Sequence, residues 1–462
     1  MASATALEPD MTLTCFKAYD VRGKIGVDLD EAIAKRIARG FVQVLGAKTV
    51  VVGHDCRASS EALQGAVIEG LIAQGAEVLN IGLAGTEEVY FATDHLGADG
   101  GIEITASHNP IDYNGLKMVA AGSRPLSDAE FQRVKGAAEA SDFGTADKGK
   151  RTDVDVRAAY ASRVISMVDP SMLRPFKVLV NAGNGTAGPA FDEIAGQLES
   201  LGVPLTFVRH HHEADGTFPN GIPNPLLPEN QPMTSNAVLA HGCDLGVAWD
   251  GDFDRCFFFD EAGEFLAGEY VVGLLARAFL ERQPGETIVH DPRVVWSTLD
   301  VVDRLGGTAV PAKTGHAFVK AVMREHQAIY GGEMSAHHYF RDFMFCDSGM
   351  IPWLKVIELM SSTGQPLSAL VAEMRERFAS SGEQNFPVTN AAAITAKVEE
   401  VYAPQALEID RLDGLSLSFA DWRLNLRSSS TEPLLRLNIE SKRGPGLIAE
   451  KTEELRALFA SV

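Results

Sequence analysis

Residues Gly100–Lys117 read GGIEITASHNPIDYNGLK. Ile102-Glu103-Ile104 has the alternation of a short strand, and Thr105–Pro110 breaks it with small and polar residues and a proline stop. A strand that opens into such a loop can present Ser107 at the end of a sheet, with His108 beside it and Lys117 shortly downstream. A serine hydroxyl is a poor nucleophile until a base or a neighbouring charge activates it. Taken alone, the segment reads better as a polar turn. The rest of the chain decides whether Ser107 is more than that.

Upstream, Lys48–Gly53 is a β-branched strand run. Ser59 and Ser60 can cap a helix with Leu63, Val67 and Leu71 on one face, Gly75 ends it, and Val78–Ile81 is the next strand. The order recurs after Pro175. Lys177–Val180 is a strand, Thr186–Leu201 a helix with Phe191, Ile194, Ala195 and Leu198 on one face, and Leu205–Val208 a strand. Leu245–Trp249 then opens into Asp250-Gly251-Asp252-Phe253-Asp254-Arg255. It recurs again after Gly285, with strands at Thr287–Val289 and Ala309-Val310 and helices at Trp296–Leu305 and Ala317–Glu325. A strand at Ala328–Tyr330 then runs into Gly331-Gly332-Glu333-Met334-Ser335-Ala336-His337-His338.

Three α/β units of similar order are therefore expected, each with a late strand opening into a polar loop. Ligands collect beyond the carboxyl ends of strands in open α/β sheets, so the three loops could face one cleft. The tail differs. Ser380–Pro387 is polar and reads as a linker. Strands at Leu415–Phe419, Trp422–Leu426 and Leu434–Ile439 and a helix at Leu447–Phe459 make a small α+β domain. The domains expected are 1–153, 154–262, 263–378 and 379–462.

The chain has 462 residues, 45% apolar and 22% charged, an ordinary globular composition. Lys+Arg 41 against Asp+Glu 62 gives −21, which disfavours nucleic acid and anionic membranes but not a small anion in a locally basic cleft. Cys15, Cys56, Cys243, Cys256 and Cys346 form no CxxC pair. Their odd number suits a reducing cytosol and offers no zinc site. Residues 1–12 lack the pattern of a secretory signal, and no run of 18 apolar residues suggests a membrane span. A cytoplasmic protein is expected. Its oligomeric state cannot be read.

At a strand end, alternation would point Asp250, Asp252 and Asp254 the same way, and three like charges that close call for a cation such as Mg²⁺. An exposed acidic turn explains DxDxD equally well. The apolar flanks Leu245–Trp249 and Cys256–Phe259 favour a loop held at a sheet end. Arg427-Ser428-Ser429-Ser430-Thr431 collects a guanidinium and four hydroxyls and suits a phosphate, or is simply a serine-rich hairpin. Glu333, Ser335 and His337 alternate and can bond a polyol, or line a buried polar loop. Gly183–Gly188, GNGTAG, fits GxGxxG and supports a rival dinucleotide enzyme. The following strand, however, ends in Arg209-His210 rather than an acid, so it reads as a tight turn with close helix packing. His210-His211-His212 reads as a solvent loop.

Together TASHNP, DGDFDR, GEMSAHHYF and RSSSTEP, in that order and at these intervals, closely resemble the α-D-phosphohexomutases, nearest the bacterial phosphomannomutase/phosphoglucomutase branch. The resemblance spans essentially the whole chain, from Phe16–Gly23 (FKAYDVRG) onward. It implies three similar α/β domains with mixed sheets and a C-terminal α+β phosphate-binding lid around one central cleft. It implies that Ser107 carries a phosphoryl group and that Mg²⁺ sits on Asp250, Asp252, Asp254 and an oxygen of that phosphoserine. Glu333, Ser335 and His337 would hold sugar hydroxyls, and Arg427, Ser429, Ser430 and Thr431 the distal phosphate. Arg22, His108, Lys117 and His316 would act at the transfer, with Tyr19, Arg255 and Arg293 at the substrate. The reaction implied interconverts hexose 6-phosphate and hexose 1-phosphate, mannose before glucose, through a hexose 1,6-bisphosphate. Phe253 stands where a small residue is common, and Ser430 where Asn is. Phosphoglucosamine mutase is a rival, although that branch carries GEQSGH where this chain has Met334. A silent sugar-phosphate sensor and an NADP dehydrogenase are others.

Overall fold

The computed structural model describes residues 12–428 and 433–462. The first unit comprises β1 (Val21–Lys24), α1 (Glu31–Leu45), β2 (Thr49–His54), α2 (Ser60–Ala73), β3 (Glu77–Leu83), α3 (Thr86–His95), β4 (Gly100–Ile104), β5 (Tyr113–Ala120), β6 (Arg124–Pro125), α4 (Asp128–Ala140) and β7 (Arg151–Asp153). The second contains α5 (Arg157–Ile165), β8 (Phe176–Asn181), α6 (Ala187–Ser200), β9 (Leu205–His210), α7 (Gln231–His241), β10 (Leu245–Trp249) and β11 (Cys256–Phe259). The third contains α8 (Gly268–Leu280), β12 (Thr287–His290), α9 (Trp296–Arg304), β13 (Thr308–Pro311), α10 (His316–His326), β14 (Tyr330–Gly332), β15 (His338–Phe340), β16 (Cys346–Asp347), α11 (Met350–Thr363) and α12 (Leu367–Arg377).

The repeat is visible in the sheets. Strand orders β5-β4-β2-β3, β11-β10-β8-β9 and β15-β14-β12-β13 are the same pattern three times. In each, the late strand (β4, β10 or β14) runs parallel to β2, β8 or β12 and antiparallel to the strand that follows it. These are the mixed sheets of the α/β fold class. The apolar runs Val50-Val51-Val52 and Val178-Leu179-Val180 are fully buried, as strands covered on both faces should be. Leu63, Val67 and Leu71 of α2, and Phe191, Ile194, Ala195 and Leu198 of α6, are the buried faces predicted from their spacing. One apolar core runs through all three units, joining Val51 and Tyr90 to Phe191 and Trp249 and on to Phe279 and Trp353.

The last unit comprises β17 (Ala379–Pro387), α13 (Ala391–Tyr402), β18 (Glu408–Asp410), β19 (Leu415–Ser418), β20 (Trp422–Ser428), β21 (Leu434–Ser441) and α14 (Pro445–Phe459). Its sheet, β17-β21-β20-β19-β18, is antiparallel throughout and has a separate core. Ser380–Pro387 is therefore not a linker but an edge strand. It is polar because one ladder edge and one face stay wet, and Pro387 costs nothing there. Ser59 does not cap α2 either. Its backbone is already helical, while Ser60 Oγ donates to Asp55 Oδ1 at 2.5 Å.

The last unit docks on the third through buried groups. Arg423 donates to the carbonyls of Pro292 and Arg293, and Glu440 accepts from the N–H groups of Val295 and Trp296 at the start of α9. Among the described residues, no helix is long and apolar enough to cross a membrane.

Candidate active site

The loops after β4, β10 and β14 converge, although not by strand alternation. Each turns on a non-glycine residue in the left-handed region: Ser107 (φ 49°), Phe253 (φ 45°) and Ala336 (φ 70°). Such backbone is strained and persists where its surroundings over-determine it. At Ser107 the surroundings are Arg57. This buried guanidinium donates to the carbonyls of Ser107 (2.9 Å), Asn109 (2.7 Å), Pro110 (2.9 Å) and Tyr113 (3.1 Å). Asp55, beside it, accepts from the Arg57 N–H at 2.9 Å.

Ser107 Oγ donates to Asp250 Oδ2 at 2.5 Å and lies 2.9 Å from His108 Nδ1. Phe253 N–H bonds the Asp250 carbonyl at 3.2 Å, so a tight turn gathers the three carboxylates. A Cβ on Gly251 would overlap the Ser107 carbonyl, and only glycine lets the two loops approach this closely. Thr186 donates twice, from N and Oγ1, to the Gly251 carbonyl at 3.0 Å. The GNGTAG turn thus buttresses the aspartate loop, as its reading as a close-packed turn implies. The Phe253 ring is buried against Gly85, whose missing side chain makes room for it.

Asp252 Oδ2 accepts from Thr86 Oγ1 and from Lys117 Nζ, both at 2.7 Å, and Lys117 also bonds Asp254 Oδ2. The Oδ1 atoms of Asp250, Asp252 and Asp254 are buried without a hydrogen-bond partner, and the three residues offer ligand atoms within 4.8 Å of one another. Buried, orphaned, hard oxygen donors so close together fit a divalent cation. Burial, with Asp254 and Asp252 alongside, pushes the Asp250 carboxyl up to about 7. At Asp254 burial is outweighed by Lys117, His337 and Arg255, which hold the group well below the usual range. Burial and the cations Arg255 and Arg22 hold His108 well below the usual imidazole range, so its ring is neutral.

Arg22 donates to the Thr105 carbonyl and pairs with Asp20 at 2.6 Å. Arg255 Nε lies 3.7 Å from Asp250 Oδ2 and donates to His337 Nε2 at 3.2 Å. Buried Glu333 accepts from Gly315 N–H at 2.9 Å and Tyr339 OH at 2.5 Å, with His337 Nδ1 3.6 Å away. Ser335 is half-buried on the same turn. His316 begins α10 with Nδ1 buried and unpartnered, and burial together with Lys320 and Lys117 lowers its pKa well below the usual value. Tyr19, from the first unit, packs edge-on against it.

Arg427 is the last residue but one of β20 and donates to Glu383 Oε2 at 2.9 Å. Arg436 reaches the other oxygen at 3.3 Å, and Arg293, locked by Asp291 at 2.8 Å, comes within 3.7 Å. The third and fourth units therefore present three guanidiniums to one carboxylate. Ser429, Ser430 and Thr431 lie outside the described residues. The His210–His212 run is not a solvent loop. All three are half-buried, His210 stacks on His211, and His212 Nε2 is 2.9 Å from Asp192 Oδ2.

Residues 14–145, 158–263, 267–378 and 383–458 match the family models described as phosphoglucomutase/phosphomannomutase α/β/α domains I, II and III and C-terminal domain. The chain belongs to the phosphoglucomutase/phosphomannomutase family. A phosphomannomutase of Salmonella montevideo is 54% identical over 453 residues, covering 97% of this chain and 99% of the relative. A protein named phosphohexose mutases, from Xanthomonas campestris pv. campestris, is 52% identical over 454 residues, covering 97% and 100%. A solved family member from Burkholderia thailandensis superposes with a TM-score of 0.87 at 31% identity, covering 98% of both chains. The chain is thus a hexose phosphate mutase, an intramolecular phosphotransferase.

In this phosphoglucomutase/phosphomannomutase chain the residues missed by sequence reading are supporting ones: Asp55, Arg57, Thr86, Asp291 and Glu383. One signal was available. His54-Asp55-Cys56-Arg57 and His290-Asp291-Pro292-Arg293 follow equivalent strands, β2 and β12. In both, the Asp Oδ1 accepts from the Arg N–H at 2.9 Å and the His Nδ1 lies 2.8 Å from the Asp carbonyl.

Proposed function

We propose that this protein is a phosphomannomutase that also accepts glucose phosphates, working through phosphoserine at Ser107 with Mg²⁺ on the aspartate loop. The carrying observation is the placement of Ser107 Oγ, 2.5 Å from Asp250 and beside three orphaned carboxylate oxygens. The preference for mannose is supported by relatives above 50% identity that bear that name.

In the forward step, the bond between phosphorus and Ser107 Oγ breaks as a sugar hydroxyl oxygen bonds to phosphorus. The hydroxyl gives up its proton and Ser107 Oγ takes one. Neutral His108, 2.9 Å from Oγ, is placed to exchange that proton. Bound metal would supply charge neutralisation at the phosphoryl oxygens. Lys117, Arg22 and Arg255 surround the same point with fixed positive charge. Glu333, held by two donors, orients sugar hydroxyls, and Arg427 with Arg293 grips the phosphate that is not reacting. The resulting hexose 1,6-bisphosphate turns over and returns its other phosphoryl group to Ser107. Free cysteines and the absence of a membrane-crossing helix among the described residues support a cytoplasmic setting.

A coupled assay with mannose, glucose and glucosamine 1-phosphates tests this reading. Mannose 1-phosphate should turn over best and glucose 1-phosphate measurably, with both activities abolished by EDTA. Faster turnover of glucosamine 1-phosphate would contradict it.

A further inference from the structure

The aspartate loop already holds a cation of its own. Lys117 Nζ occupies the Oδ2 atoms of Asp252 and Asp254, while the Oδ1 atoms of all three aspartates are buried without a hydrogen bond, that of Asp254 lying 3.5 Å from His337 Nε2. Lys117 reaches the loop from another unit, along β5. The loop does not need it for its shape. Thr86 bonds Asp252 through backbone and side chain, Thr186 holds the Gly251 carbonyl, and the buried Phe253 closes the turn on Asp250. What Lys117 changes is charge. It offsets negative charge on Asp252 and Asp254 at the place where a divalent ion would bind, and two cations on the same carboxylates repel each other.

We propose that Lys117 is a built-in rival of the divalent cation, which makes metal occupancy depend on phosphorylation of Ser107. This rests on reading Ser107 as the phosphoryl carrier. With a free Ser107 hydroxyl, Lys117 offsets part of the loop's charge and the ion is held weakly. A phosphoryl group on Ser107 adds nearly two negative charges to an oxygen adjoining Asp250, which restores the attraction. The enzyme then holds its metal firmly only when it is charged with the group to be transferred. Lys117 is a positioning residue in this role, additional to its place in the ring of charge around the phosphoryl group.

The test is Mg²⁺ titration by calorimetry on full-length protein, with phosphorylation state fixed by intact mass. Dephosphorylated wild type should bind Mg²⁺ at least about tenfold more weakly than phosphorylated protein. Dephosphorylated Lys117→Met should bind it about tenfold more tightly than dephosphorylated wild type, whereas Lys117→Arg should remain weak. If Lys117→Met is unstable without metal, its melting temperature should rise more on Mg²⁺ addition than that of wild type. An affinity unchanged or weakened in Lys117→Met, or a smaller thermal response, overturns the rivalry while leaving the carrier reading intact. Failure of any preparation to carry phosphate on Ser107 overturns the carrier reading and the coupling built on it. The Lys117→Met comparison still reads the rivalry separately.

Discussion

Ser107 is poised because its neighbours allow little else. Its left-handed backbone is fixed by Arg57, its hydroxyl is shared between Asp250 and a neutral His108, and the orphaned oxygens lie alongside. Active protein should therefore carry one phosphate by intact-mass analysis, and Ser107→Ala should lose both the phosphate and nearly all turnover. Glu103, four residues earlier on β4, is a different kind of residue. It is fully buried, neither carboxylate oxygen has a partner, and burial, with Asp55 and Asp252 nearby, raises its pKa well above 4.5. The folded protein therefore keeps this proton above the pH at which the unfolded chain loses it. Stability must fall as pH rises through and above the unfolded carboxyl range. Glu103→Gln, which mimics the protonated acid, should melt higher than wild type at pH 8, with the gap closing toward pH 4. A gap independent of pH would contradict this.

At the scale of elements, one loop is shaped by a side chain that the sequence does not advertise. Arg57 follows β2 and bonds four carbonyls of the segment after β4. Lysine cannot reproduce that planar fork. Arg57→Lys should cost about 3 kcal/mol in denaturant unfolding, as removing one partner of a buried charged network does. It should also lower kcat about 100-fold with little change in KM, because Ser107 would lose its alignment. A normal kcat would separate the loop's geometry from the chemistry. The late strands and their polar loops were legible because hydrophobic runs and glycine or proline stops mark them. The convergence of Asp250, Asp252 and Asp254 was legible in outcome but not in cause, since the positive φ at Phe253, not strand alternation, gathers them. Strand β5 was harder to see, because it is buried on both faces and lacks a clean period of two. β17 was hidden by its polarity, which an edge strand tolerates.

The whole molecule joins chemistry spread over four units, and only the motifs' order along the chain announced it. Tyr19 of the first unit meets His316 of the third, and Arg293 of the third meets Glu383 of the fourth, pairings that no local pattern predicts. The fourth unit's role can be tested at Arg427. A charged hydrogen bond is worth roughly 1.5–3 kcal/mol, so Arg427→Ala should lower kcat/KM about 10- to 150-fold, equally in both directions, with Arg427→Lys recovering part. Free hexose 1,6-bisphosphate should also accumulate in the medium as the grip loosens. Neither effect would mean that this arginine does not hold the distal phosphate. The central claim, that a phosphoryl group shuttles between Ser107 and a hexose, has a more direct measurement. Dephosphorylated enzyme is incubated with ³²P-labelled hexose 1,6-bisphosphate and Mg²⁺, quenched, digested, and its labelled peptide identified. The account predicts label on Ser107, chased off by unlabelled mannose 1-phosphate within a turnover. Label on another residue, or no covalent label in enzyme that is turning over, would contradict it.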